Sequence, residues 1–353
     1  MIQSRLPLGN GCDALLFTDL VDVRWLTGFT GSNGWAVLTV DDLILGTDGR
    51  YGDRARAETA SSGATVIAET SRARLHERLI GSLRRAARVG FDPTSTTHAE
   101  WQRLAADVAL EPTDSVVARQ RLIKDAAEIE RMSAAAAAAD AALAEVEPIL
   151  FAASDTAVTE ADVRNELEYR MRLHGADDRS YETIVASGPE HAARPHHEAT
   201  HRAIGDGDTV IIDVGALVDG YHSDMTRSWV VGPATAEQRE TYALVAEAQR
   251  AGLDAVRAGG SSRRVDAACR EVFERAGRLG EYLHWTGHGI GLDIHEQPFH
   301  NQWSDVTLEA GMVVTVEPGL YRGGSGGFRI EDLVLVTASG QRALTHSPKR
   351  ELN

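Results

Sequence analysis

Cysteine is almost missing from this chain. Cys12 and Cys269 are the only two, and they lie far apart. Two distant thiols make neither a disulfide framework nor a cysteine-based zinc site, and a reducing, cytoplasmic setting is expected. Long apolar runs are missing too. No segment offers about 18 uncharged apolar residues, so no membrane-spanning helix is expected. The opening residues, MIQSRLPLGNGCDALLF, show no basic stretch followed by an apolar one, as a secretory signal would. Positive charge is in deficit: 52 acidic against 36 basic residues give a formal net charge of −16. Duplex nucleic acid and anionic membrane are therefore poor partners. No tandem repeat at a solenoid period is present.

What is present suits two folded domains. Of the 353 residues, 43% are apolar, enough for more than one core. Residues 13–50 read as short strands: DALLF, then a hairpin from GWAVLTV into DLILG hinged at Asp41-Asp42. Alternating helix and strand candidates follow: a helix over 50–61, the strand TVIAE, a helix over 71–88, the strand RVGFD and a helix over 98–107. This alternation predicts a small α/β domain over 1–120. A second domain is expected over 121–353. It opens with a helix over 124–147 that Pro148 ends or kinks. The six-alanine run within it reads as close helix packing, because charges flank it at helical spacing. A second helix begins at Thr159 and runs to about His174, opened by an acidic first turn. From Ser180 onward, strands alternate with Gly and Pro loops, interrupted by helices over 234–258 and 261–276. Pairs of helices preceding pairs of strands, twice over, suggest an internal two-fold.

The chemistry-bearing residues lie in the second half. Asp213 ends the apolar strand VIID, and Asp224 begins the next, DMTRSWVV. Asp219-Gly220 between them signals a tight turn, so an antiparallel hairpin brings the two carboxylates together. Taken alone, the pair reads equally well as turn or cap aspartates. His288 stands among glycines in TGHGIG, where the backbone can approach closely, and His295-Glu296 follows. Glu317 closes the apolar strand MVVTVE before Pro318-Gly319, and Glu331 reads as mid-strand in FRIEDLVLV. Inward-facing carboxylates need partners. Four carboxylates and one imidazole at one spot repel unless cations neutralise them, and oxygen-rich ligation with a single His suits Mn²⁺ and its neighbours.

These motifs carry a family resemblance over nearly the whole chain. IIDVGALVDGYHSDMTR, GHGIGLDIHE, VEPGLY and RIED, with SGPEHAARPHH before them, resemble the catalytic motifs of the pita-bread metallopeptidases: methionine aminopeptidase, aminopeptidase P and prolidase. RWLTGFTGSNGWAVL and TDGRY are similar to the N-terminal domain of the Xaa-Pro branch, and RLIKDAAEIERM to its linker. The resemblance implies a creatinase-like α/β N-terminal domain followed by an α+β pita-bread catalytic domain. It implies two divalent ions, Mn²⁺ foremost, with Co²⁺, Zn²⁺ and Fe²⁺ as alternatives. Asp213 would chelate the first ion, Asp224 and Glu331 would bridge both, and His288 and Glu317 would complete the second. Paired ions lower the pKa of a bridging water, and the hydroxide so formed would attack the scissile carbonyl. Glu317 is the expected proton shuttle, and His196 and His295 match substrate-side histidines. His191, His197 and His222 read more readily as loop residues without a role.

The activity implied is that of a Xaa-Pro aminopeptidase acting on peptides with proline second. The alternative is a Xaa-Pro dipeptidase, and a remote one is a non-catalytic binding protein. Dipeptide-specific relatives often carry an Arg after the HExP segment to clasp the free carboxylate. This chain has Phe299 there, with His300 or Arg322 as conceivable substitutes. It also has Glu190 where Asn is common. Arg329 and Arg227 are candidates to support ligating carboxylates, and Tyr221 and His222 candidates to line the pocket. A homodimer is implied, with Asp22, Arg24, Trp25 and the Gly28–Gly34 stretch as candidates to cover a neighbour's pocket.

Overall fold

The structure is a computed structural model that describes Leu8 and residues 11–153 and 157–352. Of the opening segment MIQSRLPLGN, only Leu8 is among them. The chain divides into two compact units, Met1–Arg121 and Leu122–Asn353.

The first unit is built on a six-stranded sheet. Its spatial order is Thr65–Glu69, Leu43–Asp48, Gly34–Thr39, Ala14–Phe17, Val89–Phe91, Leu110–Pro112. The three strands from the first 48 residues pair antiparallel, and the outer ones join in parallel. Parallel joins need crossovers, and helices Arg72–Leu83 and His98–Ala105 supply two of them. The expected hairpin turns where Thr39 Oγ1 accepts the Asp42 N–H at 2.9 Å. The stretch 13–50, read as short strands, also holds a helix, Leu20–Thr27, between DALLF and GWAVLTV. Asp19 caps it by accepting the Val21 N–H at 2.7 Å, and Gly28 ends it in the left-handed region. The helix expected over 71–88 stops at Leu83, the last of its buried apolar residues after Leu75, Leu79 and Ile80. Asp22 turns inward to Arg121 at 2.9 Å and is unavailable to cover a neighbour's pocket.

The second unit runs twice through a pair of helices and then a sheet. Helix Ala126–Phe151 is opened by a capping box between Asp125 and Glu128. It does not end at Pro148. A proline in the last turn forfeits a single backbone bond, and continuing to Phe151 buries Leu150 completely. Met132, Ala135, Ala136, Ala139, Ala142, Leu143 and Val146 are buried at helical spacing, so the alanines pack this helix closely into one core. Substitution Ala139→Leu is expected to lower unfolding stability by about 1–3 kcal/mol through overpacking, as read by urea denaturation. An unchanged midpoint would refute close packing at this face.

Helix Glu160–Leu173 follows, and then a three-stranded antiparallel sheet in which Thr209–Asp213 lies between Ile184–Ser187 and Thr226–Val230. Between its last two strands, Ala216–Val218 and Tyr221–His222 form a side hairpin, turned by Asp219 and Gly220 at positive φ. Helices Ala236–Ala255 and Ser262–Arg275 pack a second core with Leu308, Val314, Val316, Ile330 and Val334. Their sheet has five strands, with Gly287–Gly289 and Val313–Val316 side by side and Asp332–Thr337 next. Glu331 is not mid-strand. It sits in the break between Gly326–Arg329, part of a two-stranded ribbon, and Asp332–Thr337. Its own N–H donates to Thr226 O at 3.1 Å.

Candidate metal centre

Four of the five candidate ligands sit where a strand begins, ends or breaks, and His288 sits inside a short strand. Asp213 closes its strand and pairs in register with Thr226, which places Asp224, two residues before Thr226, at the same end of the sheet. Glu331 reaches that end because its backbone is bonded to Thr226. His288 is the centre of a three-residue strand beside Val313–Val316, which Glu317 follows directly. The glycines around His288 are required by closeness. A Cβ on Gly287 would stand 2.1 Å from Thr315 O, and one on Gly289 would stand 2.0 Å from Gln297 O.

All five side chains line one cavity of about 730 Å³, together with His196 and His295. Ligand atoms of Asp224, His288 and Glu331, all buried, lie within 4.8 Å of one another. His288 Nε2 stands 3.5 Å from Asp224 Oδ2 and 3.6 Å from Glu317 Oε1. Its Nδ1 is 3.0 Å from the Gly289 carbonyl, which can only accept, so Nδ1 carries a proton and Nε2 is the nitrogen that faces both carboxylates.

The arrangement is electrostatically incomplete without cations. Asp224, Glu317 and Glu331 are each pushed well above the usual carboxylate range, first by burial and then by neighbouring carboxylates. Glu331 Oε2 accepts from Thr226 Oγ1 at 2.7 Å, but the buried Oε1 has no hydrogen-bond partner among the described residues. The Tyr181 hydroxyl meets both Asp213 and Asp224, yet its one proton serves only one of them. An imidazole nitrogen and several carboxylates converge, and among the described residues one carboxylate oxygen has no partner and one arginine reaches a candidate ligand's carboxylate. This donor set fits hard divalent ions bound through oxygen and one imidazole.

Arg329 is that arginine. It donates to Asp213 Oδ2 at 2.6 Å, to Thr226 Oγ1 at 3.1 Å, to the Tyr321 hydroxyl at 2.7 Å and to Pro195 O at 2.9 Å. One buried guanidinium thus ties a carboxylate, the threonine that holds Glu331, and the residue before His196. Beyond Tyr321, burial pushes His284 down to about 3. The neutral ring gives its Nδ1 proton to Trp285 O and accepts the Tyr321 hydroxyl at Nε2, 2.8 Å away.

Other expectations are corrected. Arg227 pairs with Asp332 at 2.8 Å and with the Ser347 carbonyl rather than with a candidate ligand's carboxylate, and it holds Glu331 only through that residue's backbone carbonyl. Tyr221 and His222 do not line the cavity. The Tyr221 hydroxyl donates to Glu128, and His222 Nδ1 meets Ser180 Oγ. His300 is wholly buried, and Arg322 is turned outward to Glu237. Neither joins Phe299 in the cavity wall. His191 and His197 converge on Glu160. Tyr181 and His284 were missed. Each is a single residue without a motif, and only the pairing of Ile184 with Asp213 places Tyr181 at the aspartates.

The model of Metallopeptidase family M24 matches residues 130–338, and that of the Creatinase/Prolidase N-terminal domain matches residues 9–123. A Bacillus subtilis protein named as an uncharacterized peptidase, YqhT, is 38% identical over 96% of this chain and 95% of its own length. A Xaa-Pro dipeptidase of Pyrococcus furiosus is 40% identical over 68% of this chain and 67% of its own. Among solved structures, a Xaa-Pro dipeptidase from Bacillus anthracis superposes with a TM-score of 0.90 at 35% identity, covering 97% of this chain and 95% of that one. An X-Pro aminopeptidase from Thermotoga maritima superposes with 0.86 at 30% identity, covering 97% and 96%.

Proposed function

The chain belongs to metallopeptidase family M24, with a creatinase-type N-terminal domain before a pita-bread catalytic domain, and on that premise we propose that it is a dinuclear Xaa-Pro aminopeptidase. The observation that carries this reading is the cavity in which Asp213, Asp224, His288, Glu317 and Glu331 meet beside His196 and His295. Asp213 would hold one ion, Asp224 and Glu331 both, and His288 with Glu317 the other, with Mn²⁺ as the favoured metal. Ions held there supply Lewis acidity, which activates a water and polarises the scissile carbonyl.

The protein's own residues do the rest. Glu317 stands at the cavity wall with Oε1 3.6 Å from His288 Nε2, placed to take the water's proton and pass it to the leaving nitrogen. His196 and His295, both exposed into the cavity, stand to donate to the tetrahedral centre or the leaving group. Ile184, Leu283, Trp285 and Phe299 give an apolar wall, with the last two rings edge to face at 5.3 Å. Such a wall suits a proline ring, whose nitrogen offers no N–H to bond.

The aminopeptidase form is favoured by the cavity's cations. Among the described residues that line it, Arg329 is the only Lys or Arg, and its donors are committed to Asp213, Tyr321, Thr226 and Pro195. A dipeptide's free carboxylate at that wall would meet Phe299 instead of a cation. The names of several relatives favour the dipeptidase form, and a peptide panel separates the two. With added Mn²⁺, Xaa-Pro-Xaa tripeptides are expected to be cleaved with kcat/KM at least roughly tenfold above Xaa-Pro dipeptides, about the worth of one unpaired charged contact. The opposite ranking assigns the dipeptidase activity, and no cleavage with any divalent metal refutes both.

A further inference from the structure

Glu160 has no place in the chemistry above, yet it is among the most heavily bonded carboxylates in the molecule. It stands at the first turn of helix Glu160–Leu173 and is wholly buried. Its Oε1 accepts from Ser187 N at 2.8 Å, Ser187 Oγ at 2.7 Å and His191 Nδ1 at 2.9 Å. Its Oε2 accepts from Thr200 N at 3.0 Å, Thr200 Oγ1 at 2.7 Å and His197 Nε2 at 3.2 Å. A carboxylate has about four lone-pair sites, so this one is saturated. Burial would raise its pKa, but the Ser187, Thr200 and His191 donors outweigh burial and bring it down to about 2. It stays ionised, and each histidine can face it only as a donor.

The donors have a pattern. Ser187 and Thr200 are the two ends of a single excursion of the chain, residues 188–199, and both ends bond the same carboxylate through backbone and hydroxyl. His191 and His197 lie on that excursion, with ring centroids 4.1 Å apart and planes tilted by 30°. Between Pro195 and His197 stands His196, exposed into the cavity. The Pro195 carbonyl is held from the opposite side by Arg329 at 2.9 Å. Arg202 braces one stem, bonding Ser187 Oγ at 2.7 Å and Asp208 at 2.6 Å.

We propose that Glu160 is the positioning residue of the His196 loop: its carboxylate gathers both stems of the loop and the two neighbouring histidines, and so fixes His196 against the reacting centre. The inference rests on the proposed peptidase reading for its kinetic consequence and on geometry alone for the loop. The other use of this cluster is a metal site, since ligand atoms of Glu160, His191 and His197 lie within 4.8 Å of one another. Donor counting argues against it. Both carboxylate oxygens already accept backbone and hydroxyl protons, and an ion would have to displace both histidine protons from between the groups it binds.

The experiment compares wild type, Glu160→Ala, Glu160→Gln and His196→Ala, and each Glu160 variant combined with His196→Ala. Glu160→Ala should lower kcat by at least roughly tenfold, the scale of a misplaced catalytic group, with a smaller change in KM. Glu160→Gln, which keeps one acceptor oxygen, should fall between, and it carries the test if the alanine variant does not fold. In the His196→Ala background either substitution should cost less than about twofold, because the two act as one unit. Independently of activity, amide hydrogen exchange over residues 187–200 should quicken in the Glu160 variants. Fully multiplicative kinetic losses, or unchanged exchange over that segment, would overturn the proposal. So would one equivalent less of bound Zn²⁺ in the Glu160 variants, which would assign a metal site. If wild type cleaves no Xaa-Pro peptide, the functional reading fails while the exchange measurement still decides the clamp.

Discussion

Substitution Glu331→Gln is expected to lower peptidase turnover by at least about 10³-fold, beyond the 10–100-fold typical of partners that merely orient a ligand. The reason is the position of this carboxylate. Thr226 occupies its Oε2, and its Oε1 is buried with no partner, so one lone pair is reserved for something the protein chain does not supply. An amide of the same shape places a neutral oxygen or an NH₂ at that point, a far weaker ligand for a hard cation. The same variant should fold well. In metal-free buffer it should be more stable than wild type by about 1–3 kcal/mol, since an uncompensated buried charge is removed beside Asp224 and Asp213. The two measurements are kcat with saturating Mn²⁺ and urea denaturation in chelator. Wild-type turnover, or a variant destabilised without metal, would contradict the role proposed for Glu331.

Metal removal should have the second largest effect, on stability as well as activity. At a metal concentration about 1,000 times the dissociation constant, binding contributes about 4 kcal/mol, which for a unit of this size corresponds to a shift of roughly 10 °C in its melting temperature. The pH dependence has a defined sign. Asp224, Glu317 and Glu331 titrate above their unfolded values because burial and mutual repulsion disfavour the charged forms. At these three carboxyls the folded, metal-free protein therefore binds more protons than the unfolded chain. Their contribution to stability is most favourable below the ordinary carboxylate range and declines as pH rises toward the raised folded values. Added Mn²⁺ should reverse that decline. Calorimetry in chelator and in Mn²⁺ across pH 5 to 8 measures both effects; a stabilisation by Mn²⁺ that did not grow with rising pH would exclude a cation-neutralised carboxylate cluster.

Much of the site was legible because its residues carry their own local signals. Asp213 and Glu317 close apolar strands, Asp224 follows a turn signal, and His288 is framed by glycines that the tight approach of Thr315 and Gln297 requires. Tyr181, His284 and Glu160 were not legible. None has a motif, and each matters through a partner at least 31 positions away, such as Asp213 or His191. Helix Leu20–Thr27 was not singled out within a stretch read as strands, because it is only eight residues long and a single capping aspartate starts it. Glu331 was placed mid-strand because apolar residues lie on both sides of it in FRIEDLVLV, whereas the chain changes sheets there.

Composition, apolar periodicity and the spacing of a few acidic and glycine residues were sufficient for the α/β order of the elements and for the metal-seeking chemistry. Those properties are local: a strand end, a turn or a saturated helix face is specified within about ten residues. The network around the cavity is not local. Arg329 joining Asp213, Thr226, Tyr321 and Pro195, and Glu160 joining Ser187, His191, His197 and Thr200, both depend on which strands pair and in what register. Register is a collective outcome of two cores closing at once, so only the tertiary structure could decide it.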